Sequence, residues 1–134
     1  PMRRLVALAL VAAAAVGTAG CGDGGPSADP ALFCERLDRL AENDPFAVLG
    51  ASATEAEMEA AFGALRERAT ELAEVAPEDV RAVAGDYQDA VERLDALLAD
   101  AGYGPDVDVR AYRAAQTDYV EAATRLERYL DAEC

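Results

Sequence analysis

Residues 52–76, SATEAEMEAAFGALRERATELAEVA, decide the fold. Met58, Phe62, Leu65, Ala69, Leu72 and Ala76 recur at alternating spacings of four and three, which lines them along one side of an α-helix. A stripe of that period is the seam of a helix that packs on other helices at a shallow angle. Two capping boxes compete to start it, Ser52 with Glu55 and Thr54 with Glu57. In each, a hydroxyl and a carboxylate satisfy backbone N–H groups that the first helical turn leaves without partners. A helix with one apolar side requires neighbours to cover it.

Both flanks supply such neighbours, and neither reads as a strand. Upstream, Asp29 is placed as an N-cap with Pro30 at the first helical position, and Phe33, Leu37, Leu40 and Ala41 share a face. Asn43-Asp44-Pro45 ends this helix. A short extra turn through Phe46, Val48 and Leu49, closed by Gly50, is expected to bring it nearly to the length of the others. Downstream, a third helix is expected to begin at Pro77, with Glu78 and Asp79 against the positive end of its dipole. Val80, Ala84, Tyr87, Val91, Leu94 and Leu98 form its inner stripe, with Val83, Ala90 and Ala101 beside it, and Gly102-Tyr103-Gly104-Pro105 stops it. The fourth starts near Asp106 and Asp108 and runs to Cys134, with Val109, Tyr112, Tyr119, Ala123, Leu126 and Leu130 on one face. Gln116 is the polar member of that face, either a boundary position that reaches solvent or a buried amide. The expected lengths are roughly 14, 21, 25 and 27 residues. Short connections favour antiparallel neighbours, so residues 30–134 read as an all-α, up-down-up-down four-helix bundle.

The N-terminal residues follow a different pattern. Met2-Arg3-Arg4 is basic, Leu5 to Val16 is an unbroken apolar run, and Gly17-Thr18-Ala19-Gly20 precedes Cys21. That is the order of an export signal, and the run is short of the roughly 20 apolar residues a spanning helix needs. Pro1 does not fit ahead of such a signal, so Met2 is the expected start. Thr18-Ala19-Gly20-Cys21 resembles the lipobox of bacterial lipoproteins, with Thr18 where Leu is usual. The Arg-only, Ala-rich composition resembles that of actinobacterial-type proteins. The resemblance covers residues 2–21 and implies removal of residues 1–20 and a diacylglyceryl thioether on Cys21. Two acyl chains anchor stably where one binds only marginally. Residues 21–29, with Gly22-Asp23-Gly24-Gly25-Pro26-Ser27, then read as a lipidated tether with a span of roughly 16 Å. The implied location is the extracytoplasmic face of the cell membrane, and secretion without lipid is the competing reading.

The chain has 3 Cys. With lipid on Cys21, Cys34 and Cys134 are left as an even pair, and outside the cytoplasm such thiols oxidise. Their disulfide would close a loop of about 100 residues, worth ~4.7 kcal/mol in the chain-entropy model. It also bears on topology, because the start of the first helix and the end of the last share a pole only if the number of alternating helices is even. A redox or metal role is the rival reading, but there is no C-x-x-C and no His to complete a site.

The 26 acidic side chains outnumber the 12 basic ones, all Arg, for a net charge of −14. Removing Arg3 and Arg4 leaves the remaining domain two charges more acidic. Such a surface is repelled by nucleic acid and by anionic headgroups, so attachment to a membrane falls to the lipid on Cys21. Without His or Lys the chain lacks the commonest general base, the commonest transition-metal ligand and the Schiff-base nucleophile. Ser27 and Ser52 are its only serines, one in the tether and one near a helix cap. Glu55 with Glu59, and Glu67 with Glu71, could hold a cation or perform acid–base work, although a solvated acidic face is the plainer reading. Asp106-Val107-Asp108 lacks the third acid, central Gly and terminal Glu of an EF-hand loop. No cofactor and no catalytic residue is assigned. Tyr103, between glycines at the outer pole, is the candidate recognition residue, unless its ring folds back over the bundle end. The expected function is a non-catalytic interaction or structural module of the cell envelope, with an envelope protein as partner. A carrier of a small ligand or cation, such as Ca²⁺ or haem, is the alternative.

Overall fold

Asp29 and Pro30 open the first helix as their chemistry requires. In the computed structural model, which describes residues 27–47 and 49–134, α1 (Pro30–Glu42) begins with the Asp29 carboxylate accepting the Leu32 N–H at 3.0 Å. The expected leader, the lipobox-like Thr18-Ala19-Gly20-Cys21, most of the expected tether and Val48 lie outside the described residues. Asn43 ends α1, with its backbone N–H and its side-chain amide both donating to the Arg39 carbonyl at 3.1 Å. Asp44 then opens a separate turn by accepting the Phe46 N–H at 2.8 Å. The extra turn therefore does not extend the helix, and α1 has 13 residues against 20, 20 and 25 for the rest.

Of the two competing capping boxes, the second forms. Thr54 caps α2 (Glu55–Glu74): its hydroxyl accepts the Glu57 N–H at 3.2 Å, and the Glu57 carboxylate accepts the Thr54 N–H at 2.7 Å. These bonds favour the charged carboxylate and hold Glu57 below its ordinary pKa. The third helix, α3 (Arg81–Asp100), begins four residues later than the sequence suggests. Ala76, Pro77 and Val80 are all buried, so the chain rounds the bundle end in a turn, with the Val80 N–H on the Pro77 carbonyl at 3.2 Å. Glu78 and Asp79 are left exposed outside the helix, and α3 has no side-chain cap. Asp108 caps α4 (Val109–Glu133) by accepting the Ala111 N–H at 3.0 Å.

Among the described residues there is no strand. The helices are neighbours in a ring, α1 on α2, α2 on α3, α3 on α4 and α4 back on α1, and the diagonal pairs meet only through core side chains. The α1 contacts are the lightest, and two arginines reinforce them. Arg36 donates to the carbonyl of Glu71 in the last turn of α2, and Arg68 donates to the carbonyl of Asn43 at the end of α1. Terminal helix carbonyls lack intrahelical donors, so each helix caps the end of the other. Cys34 and Cys134 form a disulfide with Cα atoms 5.6 Å apart, joining the start of α1 to the end of α4.

The main core gathers Phe33, Leu37, Leu65, Leu72, Tyr87, Val91 and Leu126. A second cluster of Phe62, Leu94, Leu98 and Ala115 lies beyond the end of α1. There Phe46 takes the place of the missing helix, its ring centroid 4.8 Å from that of Phe62 in an edge-on contact. The α2 and α3 stripes are buried as read, apart from half-buried Met58. In α4 the stripe is rotated: Val109 is 53% exposed, Gln116 is exposed, and Ala115 and Ala122 are buried. α4 turns small side chains toward its neighbours, and its tyrosines lie along the flanks of that contact, half-buried.

Candidate functional site

The α3 C-terminus is a Schellman motif. The Gly102 N–H bonds the Ala99 carbonyl at 2.9 Å and the Tyr103 N–H bonds the Leu98 carbonyl at 2.7 Å. Gly102 (φ 60) and Tyr103 (φ 58) are both left-handed. Glycine adopts this conformation freely, whereas a residue with a Cβ is held there at a cost of about 1–2 kcal/mol. The reversal turns Tyr103 back over the bundle end, where its hydroxyl donates to Asp95 Oδ1 at 2.6 Å.

Asp95 is the buried acid among the described residues, 4% exposed. Its other oxygen, Oδ2, accepts from Arg66 Nη1 at 2.6 Å. One carboxylate thus joins α2, α3 and the loop after α3. The bond to Asp95, reinforced by burial, pushes the Tyr103 phenol up to about 12. At neutral pH it is a protonated donor, and the carboxylate it meets is already paired with Arg66. This arrangement suits positioning better than proton transfer or nucleophilic attack.

The structure therefore places Tyr103, the candidate recognition residue, half-buried with its polar end turned inward. Sequence reading missed Asp95 and Arg66. The signal was present in that Asp95 stands between Leu94 and Leu98 of the inner stripe, where an acid needs a partner. Cys34 and Cys134 are brought together, while Glu55, Glu59, Glu67 and Glu71 all stay on the exposed surface. Asp108 serves as a cap and Asp106 is exposed. Cys21 lies outside the described residues.

A second feature is an open groove of about 180 Å³ between α1 and α4, lined by Leu37, Leu40, Leu126 and Leu130, with Tyr87, Asp44 and Glu127. Burial, aided by the neighbouring Tyr119, drives the Tyr87 phenol strongly upward, and the two ring centroids are 5.3 Å apart. Among the described residues no group of three acids or cysteines converges to hold a metal ion, and no helix is long and apolar enough to cross a membrane. Compared with known proteins, the chain matches no family model, and no curated protein or solved structure is significantly similar to it.

Proposed function

We propose that this chain is a cell-envelope lipoprotein, anchored by lipid on Cys21 at the extracytoplasmic face of the membrane. Its helical domain acts as a non-catalytic module that binds an envelope protein. The observation that carries this reading is the Cys34–Cys134 disulfide. A disulfide that closes the domain suits an oxidising compartment, and it accounts for two of the 3 cysteines. The odd one, Cys21, directly follows the small residues of the lipobox-like sequence.

In the same reading the bundle runs up-down-up-down. Support comes from cross-helix pairs whose numbers rise in one helix as they fall in the next. These are Arg36–Glu71 and Asn43–Arg68, then Arg66–Asp95 and Thr70–Gln88, then Asp86–Arg125 and Arg93–Asp118. The Asp29 N–H also bonds the Val75 carbonyl at 3.0 Å, which ties the tether end to the turn between α2 and α3. The disulfide and that turn would then face the membrane, with the Tyr103 loop pointing away from it.

Replacing Cys21 by Ser is the direct test. The variant should leave the membrane fraction, and retention there would sink the lipoprotein reading. Cross-linking in intact cells should then capture an envelope protein in a manner that depends on the outward pole. A second reading, carriage of a small apolar ligand, is favoured by the leucine-lined groove between α1 and α4. Saturable uptake of an apolar fluorescent probe, abolished by Leu40→Asp, would support it.

A further inference from the structure

Positive charge is scarce on this domain, yet three arginines line one groove. Arg36 and Arg39 stand three apart on α1 and so share a face. Arg68 joins them from α2, and with Leu40 and Glu71 they bound an open space of about 150 Å³. The fold uses only part of their hydrogen-bonding capacity. A guanidinium carries five N–H donors; Arg36 gives one to the Glu71 carbonyl, Arg68 gives one to the Asn43 carbonyl, and Arg39 pairs with Glu35 on its own helix. The carbonyl bonds hold Arg36 and Arg68 at the groove without neutralising them, because a carbonyl carries no net charge. Three like charges brought to one space repel one another, and Glu35, paired with Arg39, and Glu71, in the groove lining, offset them in part.

We propose that this groove binds a phosphate group. The planar forks of guanidinium match phosphate oxygens two at a time, with charge-assisted bonds stronger than neutral ones. The acidic surface elsewhere opposes the approach of an anion. Its distant carboxylates are nevertheless screened beyond a Debye length of about 8 Å, whereas arginines in contact with the ligand are not. Recognition therefore works at contact range, without long-range steering. The phosphate belongs either to a soluble compound or to the headgroup of an anionic phospholipid. The proposal does not rest on lipidation of Cys21, and a chain lacking that cysteine tests it equally well.

The experiment uses the full chain carrying Cys21→Ser, in non-ionic micelles, with arginine side-chain resonances followed by NMR. Inorganic phosphate is titrated against chloride at constant ionic strength. The Nε–H signals of Arg36, Arg39 and Arg68 should shift and saturate together, while those of Arg93 and Arg125 stay in place. Arg39→Gln should weaken binding by about tenfold. It touches neither helix end, so it leaves the mutual capping of α1 and α2 intact. Phosphatidylglycerol mixed into the micelles identifies the source. Saturation of the same three signals by phosphatidylglycerol with no inorganic phosphate present assigns a headgroup, and a response to inorganic phosphate but not to phosphatidylglycerol assigns a soluble ligand. Shifts that grow without saturating and are shared by all arginines, or an affinity unchanged by Arg39→Gln, overturn the proposal.

Discussion

Removing one oxygen from Tyr103 isolates the contact that ties the loop after α3 to Asp95. In Tyr103→Phe the ring keeps its packing beside Phe62, whose centroid is 6.5 Å away. Asp95 also keeps Arg66, so no buried charge is stranded. What is lost is one hydrogen bond to a carboxylate, a class worth roughly 1.5–3 kcal/mol. Because Tyr103 is half-buried, the lower end applies, about 1.5 kcal/mol. For a domain of about a hundred residues that lowers Tm by roughly 6–12 °C. Urea unfolding followed by circular dichroism measures it, and the pH dependence supplies a second check. The phenol titrates near 10 in the unfolded chain and is pushed up to about 12 in the fold. The raised value means that the neutral phenol stabilises the fold. Its contribution is complete below about pH 10 and disappears as the pH rises through the folded value. The gap between the two proteins should be constant below that point and shrink above it. A gap under about 0.5 kcal/mol at neutral pH, or one that persists unchanged to pH 12 and beyond, would refute the role assigned to the Tyr103–Asp95 bond.

Reduction should lower the urea midpoint of the parent chain and leave a Cys34→Ser/Cys134→Ser variant unaffected. The chain-entropy limit is ~4.7 kcal/mol for a loop of this size, and an equal response in both proteins would remove the disulfide from the stability account. Thr54→Ala should cost about 1 kcal/mol through the lost cap. It should also flatten the acid limb of the stability curve. Glu57 is held below its ordinary value, so its contribution is present above the unfolded pKa and is lost as the pH falls through the folded one; an unchanged acid limb would contradict this. Ala122→Leu should destabilise by about 1–3 kcal/mol through overpacking of α4. Val109→Ala should stay within about 0.5 kcal/mol, and calorimetry that ranks them the other way would restore the stripe read from sequence.

Periodicity and caps were legible because they are local. The α2 stripe, the Asp29, Thr54 and Asp108 caps and the glycine stop after α3 depend on residues within a few positions of one another, and all appear in the structure. The start of α3 was not legible, since Glu78 and Asp79 are good first-turn residues by themselves. Only the burial of Ala76, Pro77 and Val80 against the other helices delays the helix. The face of α4 was misjudged for a related reason. Hydrophobicity favours Val109 over Ala115, but a close helix contact rewards small side chains, and how near the neighbouring helices come is a property of the assembled bundle.

The sequence by itself determined, for the described residues, the helical class, the number of helices, the places where most of them begin and end, and the two cysteines positioned to meet. The helices follow from short-range backbone chemistry and from the 3.6-residue period, and the cysteine pairing from the cysteine count and the parity of alternating helices. Only the tertiary structure decided that Asp95 would be buried, that Arg66 and Tyr103 would reach it from different parts of the chain, and that Arg36 and Arg68 would cap each other's helices. A buried charge or a terminal carbonyl takes whatever donor the packing brings within about 3 Å. Sequence spacing carries no record of which donor that is.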